Sequence, residues 1–93
     1  MFGERFKELR MAMGVNQVEI AKTLLVSKQS VSNWENNNIL PSLDVLVRIA
    51  STFHVSSDYL LGLDDGRTLN VSGLSSAQIA HLQALIDDLN KGE

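Results

Sequence analysis

The segment Asn16–Asn37, NQVEIAKTLLVSKQSVSNWENN, most restricts what this chain can fold into. Asn16 and Glu19 have capping-box spacing, which predicts a helix starting near Gln17. Ser27 is a second N-cap, because its hydroxyl can accept a free N–H of the turn that follows. Two helix starts this close leave room only for short helices joined by a tight turn. Leu24-Leu25-Val26 carries the chain through that turn. Val18, Ala21, Leu24 and Leu25 supply the apolar stripe of the first helix, and the small Ala21 lets the second cross it closely.

The second helix has an unusual outer face. At about 100° per residue, one arc of about 140° holds Lys28, Gln29, Ser32, Asn33 and Asn36. One cation and four neutral hydrogen-bonding side chains share it, with no carboxylate. Val31 and Trp34 fall on the far side, Ser30 beside Trp34 and Glu35 beside Val31. Base edges in the major groove mix donors and acceptors, which Lys, Gln, Ser and Asn can match. An ordinary solvated helix face pairs Lys with Glu at i,i+4 instead. The arc therefore points to DNA readout. The start of the preceding helix at Gln17 presents free N–H groups and a positive dipole end to a phosphate, and the Gln17 side chain can add a donor.

Around this pair lie further helices. Phe2, Phe6, Leu9 and Met13 form a stripe that Gly14 ends. Pro41-Ser42 starts a fourth helix with Leu43, Leu46, Val47, Ile49, Ala50 and Phe53 facing inward, and Ser56 caps a last short helix, SDYLL, closed by Gly62. The predicted class is all-α.

The ordered elements Leu9-Arg10, Asn16-Gln17, Ile20-Ala21, Ser27–Ser32, Trp34-Glu35-Asn36, Leu40-Pro41 and Tyr59–Gly62 resemble the phage-repressor-like Xre family of helix-turn-helix DNA-binding proteins. The resemblance covers residues 2–62 and implies a five-helix lambda-repressor-like domain at 1–63. It implies base-reading roles for Lys28, Gln29, Ser32 and Asn33. It places Gln17, Ser30 and Asn36 on the phosphate backbone, with Asn16 and the Asn38 loop beside them. It matches Arg10 and Glu35 to an ion pair tying the first helix to the recognition helix. Trp34 is assigned mainly to packing. Two positions depart from the family pattern. Leu25 stands where the turn often has Gly, so either the turn takes another geometry or burial of Leu25 offsets the cost of a positive φ. Asn37 replaces a terminal Gly, and Asn is the next-best left-handed cap.

Residues 64–74 break the helical pattern and read as a linker with a short extended piece, Thr68–Val71. Residues 75–91 then form an amphipathic helix, with a capping box at Ser75 and Gln78 and a hydrophobic staple at Leu74 and Ile79. Ile79, Leu82, Ile86 and Leu89 repeat at 3, 4 and 3, with Leu85 widening the stripe. Such a seam packs back on its own domain or pairs with a second copy, and the preceding linker favours a homodimer. Two heptads are too short to hold a coiled coil alone.

The net charge of −3 is the main objection to DNA binding. Its distribution softens that. Residues 1–60 are neutral, with Arg5, Lys7, Arg10, Lys22, Lys28 and Arg48 against Glu4, Glu8, Glu19, Glu35, Asp44 and Asp58. The excess acid lies in Asp64, Asp65, Asp87, Asp88 and Glu93, against Arg67 and Lys91. Few cations predict few ionic phosphate contacts and a shallow salt dependence.

The isolated His54 and His81, with no cysteine, build no nucleophile–base pair and no metal site, so no catalytic residue, metal or cofactor is assigned. No apolar run approaches the ~20 residues of a membrane span, and the charged N-terminus is no signal peptide. The expectation is a cytoplasmic transcriptional regulator, a repressor by the commoner outcome of the resemblance, binding an inverted-repeat operator as a homodimer. The alternatives are an antitoxin whose C-terminal helix binds a toxin, another regulatory protein partner, or an interaction module that has left DNA.

Overall fold

The computed structural model describes residues 2–64 and 68–91, so Asp65, Arg67 and Glu93 of the charge balance lie outside the described residues. Among the described residues six helices follow one another: α1 (Phe2–Ala12), α2 (Gln17–Leu24), α3 (Lys28–Glu35), α4 (Leu43–Phe53), α5 (Ser57–Leu61) and α6 (Ser76–Lys91). No strand occurs among the described residues, and Thr68–Val71 forms none within the chain.

The N-caps are those the sequence predicts. The Asn16 side chain accepts from the Glu19 N–H at 2.8 Å while the Glu19 carboxylate accepts the Asn16 N–H at 2.8 Å. Ser27, Ser42 and Ser56 cap α3, α4 and α5 in the same way, each accepting from the third residue of its helix. At α6 the Ser75 N–H donates to Gln78 Oε1 at 2.9 Å and the Gln78 N–H donates to Ser75 Oγ at 3.2 Å.

The C-termini of α1 to α5 share one device. Gly14, Leu25, Asn37, His54 and Gly62 all have positive φ, between 56° and 79°. After each, the next residue's N–H reaches back to the last turn: Val15 to Arg10, Val26 to Ala21, Asn38 to Asn33, Val55 to Ala50 and Leu63 to Asp58. This is the Schellman closure, which satisfies carbonyls that a helix end leaves open. At Leu25 the turn keeps the left-handed geometry, φ 60° and ψ 42°, and the side chain is 80% exposed. Neither way out considered for that residue applies. The strain is carried unrelieved by burial.

Phe6 stands at the centre of the core, fully buried. It meets Trp34 edge-on at 5.6 Å, Phe53 edge-on at 5.7 Å and Phe2 stacked at 5.8 Å. Ile20, Leu24, Val31, Ile49 and Leu60 are fully buried around it, with Leu9, Ala21, Leu46, Val55 and Tyr59 also buried in the same cluster. Four residues predicted inward are exposed. Val18 lies on the solvent side of the Ile20–Ala21–Leu24 arc, and Leu25 leaves the helix line when its φ changes sign. Leu43 and Val47 fall outside the single arc Leu46–Ile49–Phe53 that α4 turns to the core. Met13, past the end of α1, is exposed too.

The segment after α5 returns along α4, where the Asn70 N–H donates to the His54 carbonyl at 3.0 Å. α6 then buries no residue fully; Ile79 and Leu82 are half-buried.

Candidate nucleic-acid interface

The helix α3 is anchored by Val31 and Trp34, both buried, which fixes the opposite face outward. Lys28, Gln29 and Asn36 are exposed there, with Ser32 and Asn33 half-buried at the same face. The Gln29 side-chain amide donates to Asn33 Oδ1 at 3.2 Å, one turn along the helix. That bond aligns the two carboxamides and leaves the Gln29 oxygen and the Asn33 amide hydrogens for a ligand. Together they present one acceptor and a pair of donors on the outward face.

The one carboxylate of α3 is held away from this face. Arg10 Nε donates to Glu35 Oε2 at 2.6 Å and Arg10 Nη2 to Oε1 at 3.2 Å, with the side chains only 11% and 4% exposed. A third bond comes from the Gln17 amide to Oε1 at 3.0 Å. The group is a junction of α1, α2 and α3, with Arg10 also donating to the Val15 carbonyl at 2.9 Å. An exposed Glu35 would repel phosphate, whereas this one is paired in a low-dielectric site. The Gln17 donor, read from sequence as directed to a phosphate, is engaged by Glu35 in the free chain.

At the start of α2 the capping box satisfies the Glu19 N–H and leaves those of Gln17 and Val18 without an intrahelical partner. Ser30, half-buried, shares a 2.9 Å hydrogen bond with the Ser27 hydroxyl. Asn36, Asn37 and Asn38 continue the polar surface beyond α3, all exposed.

Three sets of side-chain contacts that sequence reasoning did not find hold this surface in place. The Asn37 side chain accepts the Gly3 N–H at 3.0 Å and donates to Glu4 Oε1 at 2.8 Å, binding the end of α3 to the start of α1. The Asn37 hydrogen bond, with one from its own backbone, holds the exposed Glu4 carboxyl below its ordinary value. Arg48 donates from α4 to the Leu24 carbonyl at 2.6 Å, closing the end of α2 beside the turn. Arg5 donates to the carbonyls of Tyr59 and Asp64, the latter at 2.9 Å, and lies 4.2 Å from the centre of the Tyr59 ring. No periodicity marks these contacts, since each joins residues more than twenty positions apart.

All three arginines of α1 and α4 thus serve the fold. The remaining cations of residues 2–60 are Lys7, Lys22 and Lys28.

Among the described residues no group of three or more His, Cys, Asp or Glu side chains could hold a metal ion. None of their helices is long and apolar enough to cross a membrane.

A family model described as helix-turn-helix matches residues 6–60. The chain is 34% identical to the HTH-type transcriptional regulator ImmR of Bacillus subtilis (strain 168), an alignment covering 98% of this chain and 76% of that protein. Among solved structures, the c2 repressor of phage P22 bound to a synthetic operator superposes with a TM-score of 0.66 at 30% identity. That match covers 69% of this chain and 97% of the repressor chain. The SinR/SinI protein complex matches with a TM-score of 0.65 at 26% identity, over 99% of this chain and 81% of the other.

Proposed function

The chain belongs to the helix-turn-helix family, and we propose that within it the protein is a sequence-specific DNA-binding transcriptional repressor that reads an inverted-repeat operator as a homodimer. The outward face of α3 carries this reading: five hydrogen-bonding side chains with no carboxylate among them, on a helix locked by Val31 and Trp34. Lys28, Gln29, Ser32 and Asn33 read base edges in the major groove. Asn16, Gln17, Ser30, Asn36 and Asn38 contact phosphates, Gln17 by exchanging Glu35 for a phosphate oxygen. The c2 repressor, which shares this fold, was solved on operator DNA, and ImmR is a transcriptional regulator; both support the reading.

Dimerisation runs through α6, whose Ile79, Leu82, Leu85, Ile86 and Leu89 form the contact surface. Leu85, Ile86 and Leu89 are 53%, 55% and 63% exposed, an apolar cost in water that a partner removes. A two-fold axis then sets two copies of α3 about 34 Å apart, one helical turn of DNA. Two modest half-site contacts become useful affinity once joined. A second reading has one observation in its favour: a structural neighbour matched over 99% of this chain was solved in complex with a different protein, so α6 could instead receive a regulatory partner or toxin.

In vitro selection of random duplex DNA on the purified protein tests the function. The expected product is an inverted repeat with half-sites about 10 base pairs apart. Enrichment of a single half-site removes the dimer geometry, and no enrichment at all overturns DNA reading.

A further inference from the structure

Between α4, residues 69–74 and the first half of α6 runs an open groove of about 820 Å³. Val47 and Ala50 form one wall, Leu69, Val71 and Leu74 the other, and Leu82 of α6 reaches into one end. Val47, Leu69 and Leu74 are exposed within it, so the groove is apolar and open to water. The stripe that supplies Leu82 continues along the same helix face to Ile86 and Leu89, with Leu85 beside it, and there it covers nothing. Half of the α6 stripe is docked and half is not.

We propose that the groove receives the free half of α6 from a second copy of the chain, so that Leu85, Ile86 and Leu89 of each protomer pack on Val47, Leu69 and Leu74 of the other. The inference rests on the homodimer reading and specifies its geometry.

Three observations select this occupant. First, stripe and groove are continuous through Leu82, so one two-fold operation brings each free stripe toward the other protomer's groove and forms two identical junctions. Second, a stable interface buries roughly 800 Å² per partner. A seam of two heptads meeting only itself falls short of that, and it would leave the groove wet. Docking each stripe in a groove covers both apolar surfaces at once. Third, the charges agree. The groove lining holds no carboxylate, and its one titratable side chain is His54. At about 100° per residue Asp87 and Asp88 lie on the side of α6 away from the stripe, so the incoming face brings no charge into that apolar lining.

The chain has no cysteine, so single introduced thiols report the geometry without background. Ile86→Cys and Leu69→Cys, both on side chains that the single chain leaves exposed, are prepared in the full chain. Each is treated in the reduced state, alone and then as a mixture, with a short bismaleimide, which joins two thiols through thioether bonds and tolerates thiol distances too long for a disulfide. The expected result is a strong cross-link between the two variants and little self-linking of Ile86→Cys. Sedimentation equilibrium of the unaltered chain accompanies it, and Val47→Glu should weaken the dimer about tenfold or more by placing a charge in the apolar contact. A dimer in which Ile86→Cys links chiefly to itself shows seam against seam and overturns the groove geometry alone. A dimer that links in neither way also overturns it, placing the contact elsewhere. A monomer at all accessible concentrations overturns both the geometry and the homodimer on which it rests.

Discussion

The side-chain oxygen of Asn37 accepts the backbone N–H of Gly3 at 3.0 Å, pinning the start of α1 to the end of α3. The approach is so close that a Cβ on Gly3 would lie 2.5 Å from the Trp34 carbonyl, 2.6 Å from Asn37 Oδ1 and 2.8 Å from the Glu35 carbonyl. Helix propensity alone favours Ala over Gly by ~0.5–1 kcal/mol. Two of the obstructing atoms are backbone, however, so the chain must shift, and overpacking costs ~1–3 kcal/mol. The steric cost wins. Gly3→Ala should lower the melting temperature by about 5–10 °C, followed by circular dichroism. An unchanged or higher value would show that α1 can slide away from α3.

The Asn37 amide also sets a pH dependence. Its hydrogen bond depresses the Glu4 carboxyl in the folded chain below the ordinary value of 4.5. A depressed acid contributes stability above its unfolded pKa and loses that contribution as pH falls through its folded pKa. Glu4→Gln should therefore be the less stable protein at neutral pH, and the difference should close below pH 4.5. Parallel denaturant titrations across that range check it; a constant gap would mean that the charge on Glu4 is not the source.

Leu25 carries left-handed backbone with its side chain 80% exposed. Relief of that conformation by Gly is worth ~1–2 kcal/mol, and the freer unfolded chain takes back ~0.4–1 kcal/mol. Little burial is lost. Leu25→Gly should raise the melting temperature by a few degrees, measured by calorimetry. A fall would show that the exposed leucine makes a contact worth more than its strain.

These three residues mark where sequence reasoning reaches and where it stops. The caps at Asn16, Ser27, Ser42, Ser56 and Ser75 were legible because a cap depends on residues three apart. The turn toward the core of Val31 and Trp34 was legible because helical period places them opposite the polar arc. Gly3, Arg5 and Arg48 were not, since their partners are set by how helices cross, and no local spacing records that. Leu43 and Val47 misled for a related reason: an apolar residue near a helix's inner arc is buried only if a neighbouring element reaches it. The side chains of the reader face are placed by period alone, but the Glu35 bond of Gln17 is visible only in three dimensions.

Internal use of the arginines bears on salt dependence. With Arg5, Arg10 and Arg48 bonded inside the domain, Lys22 and Lys28 are the cations nearest the proposed interface. One ionic phosphate contact per protomer, from Lys22, would give a dimer a slope of log affinity against log salt of about −2, and Lys22→Ala should reduce it by about two. Lys28→Ala, which removes a proposed base reader, should instead lower operator affinity with a smaller change of slope. Fluorescence anisotropy on the selected operator over a salt series measures this. A much steeper slope would mean that the arginines leave their internal partners on binding.

The hydrogen bond between Gln29 and Asn33 makes the two proposed reader side chains one unit, which shapes what their removal should do. Either Gln29→Ala or Asn33→Ala deletes a base contact and also frees the partner carboxamide from its alignment. Each single change should therefore cost ~1–3 kcal/mol of operator affinity, and the double change less than the sum of the two. The loss should fall on one or two adjacent base pairs, whose preference relaxes, while binding to unrelated DNA stays the same. Repeating the selection with each variant reads the preference directly, and titrations on the original operator give the coupling. Equal losses on every sequence would reassign these residues from reading bases to holding the backbone, and strict additivity would mean that the 3.2 Å bond is absent on DNA.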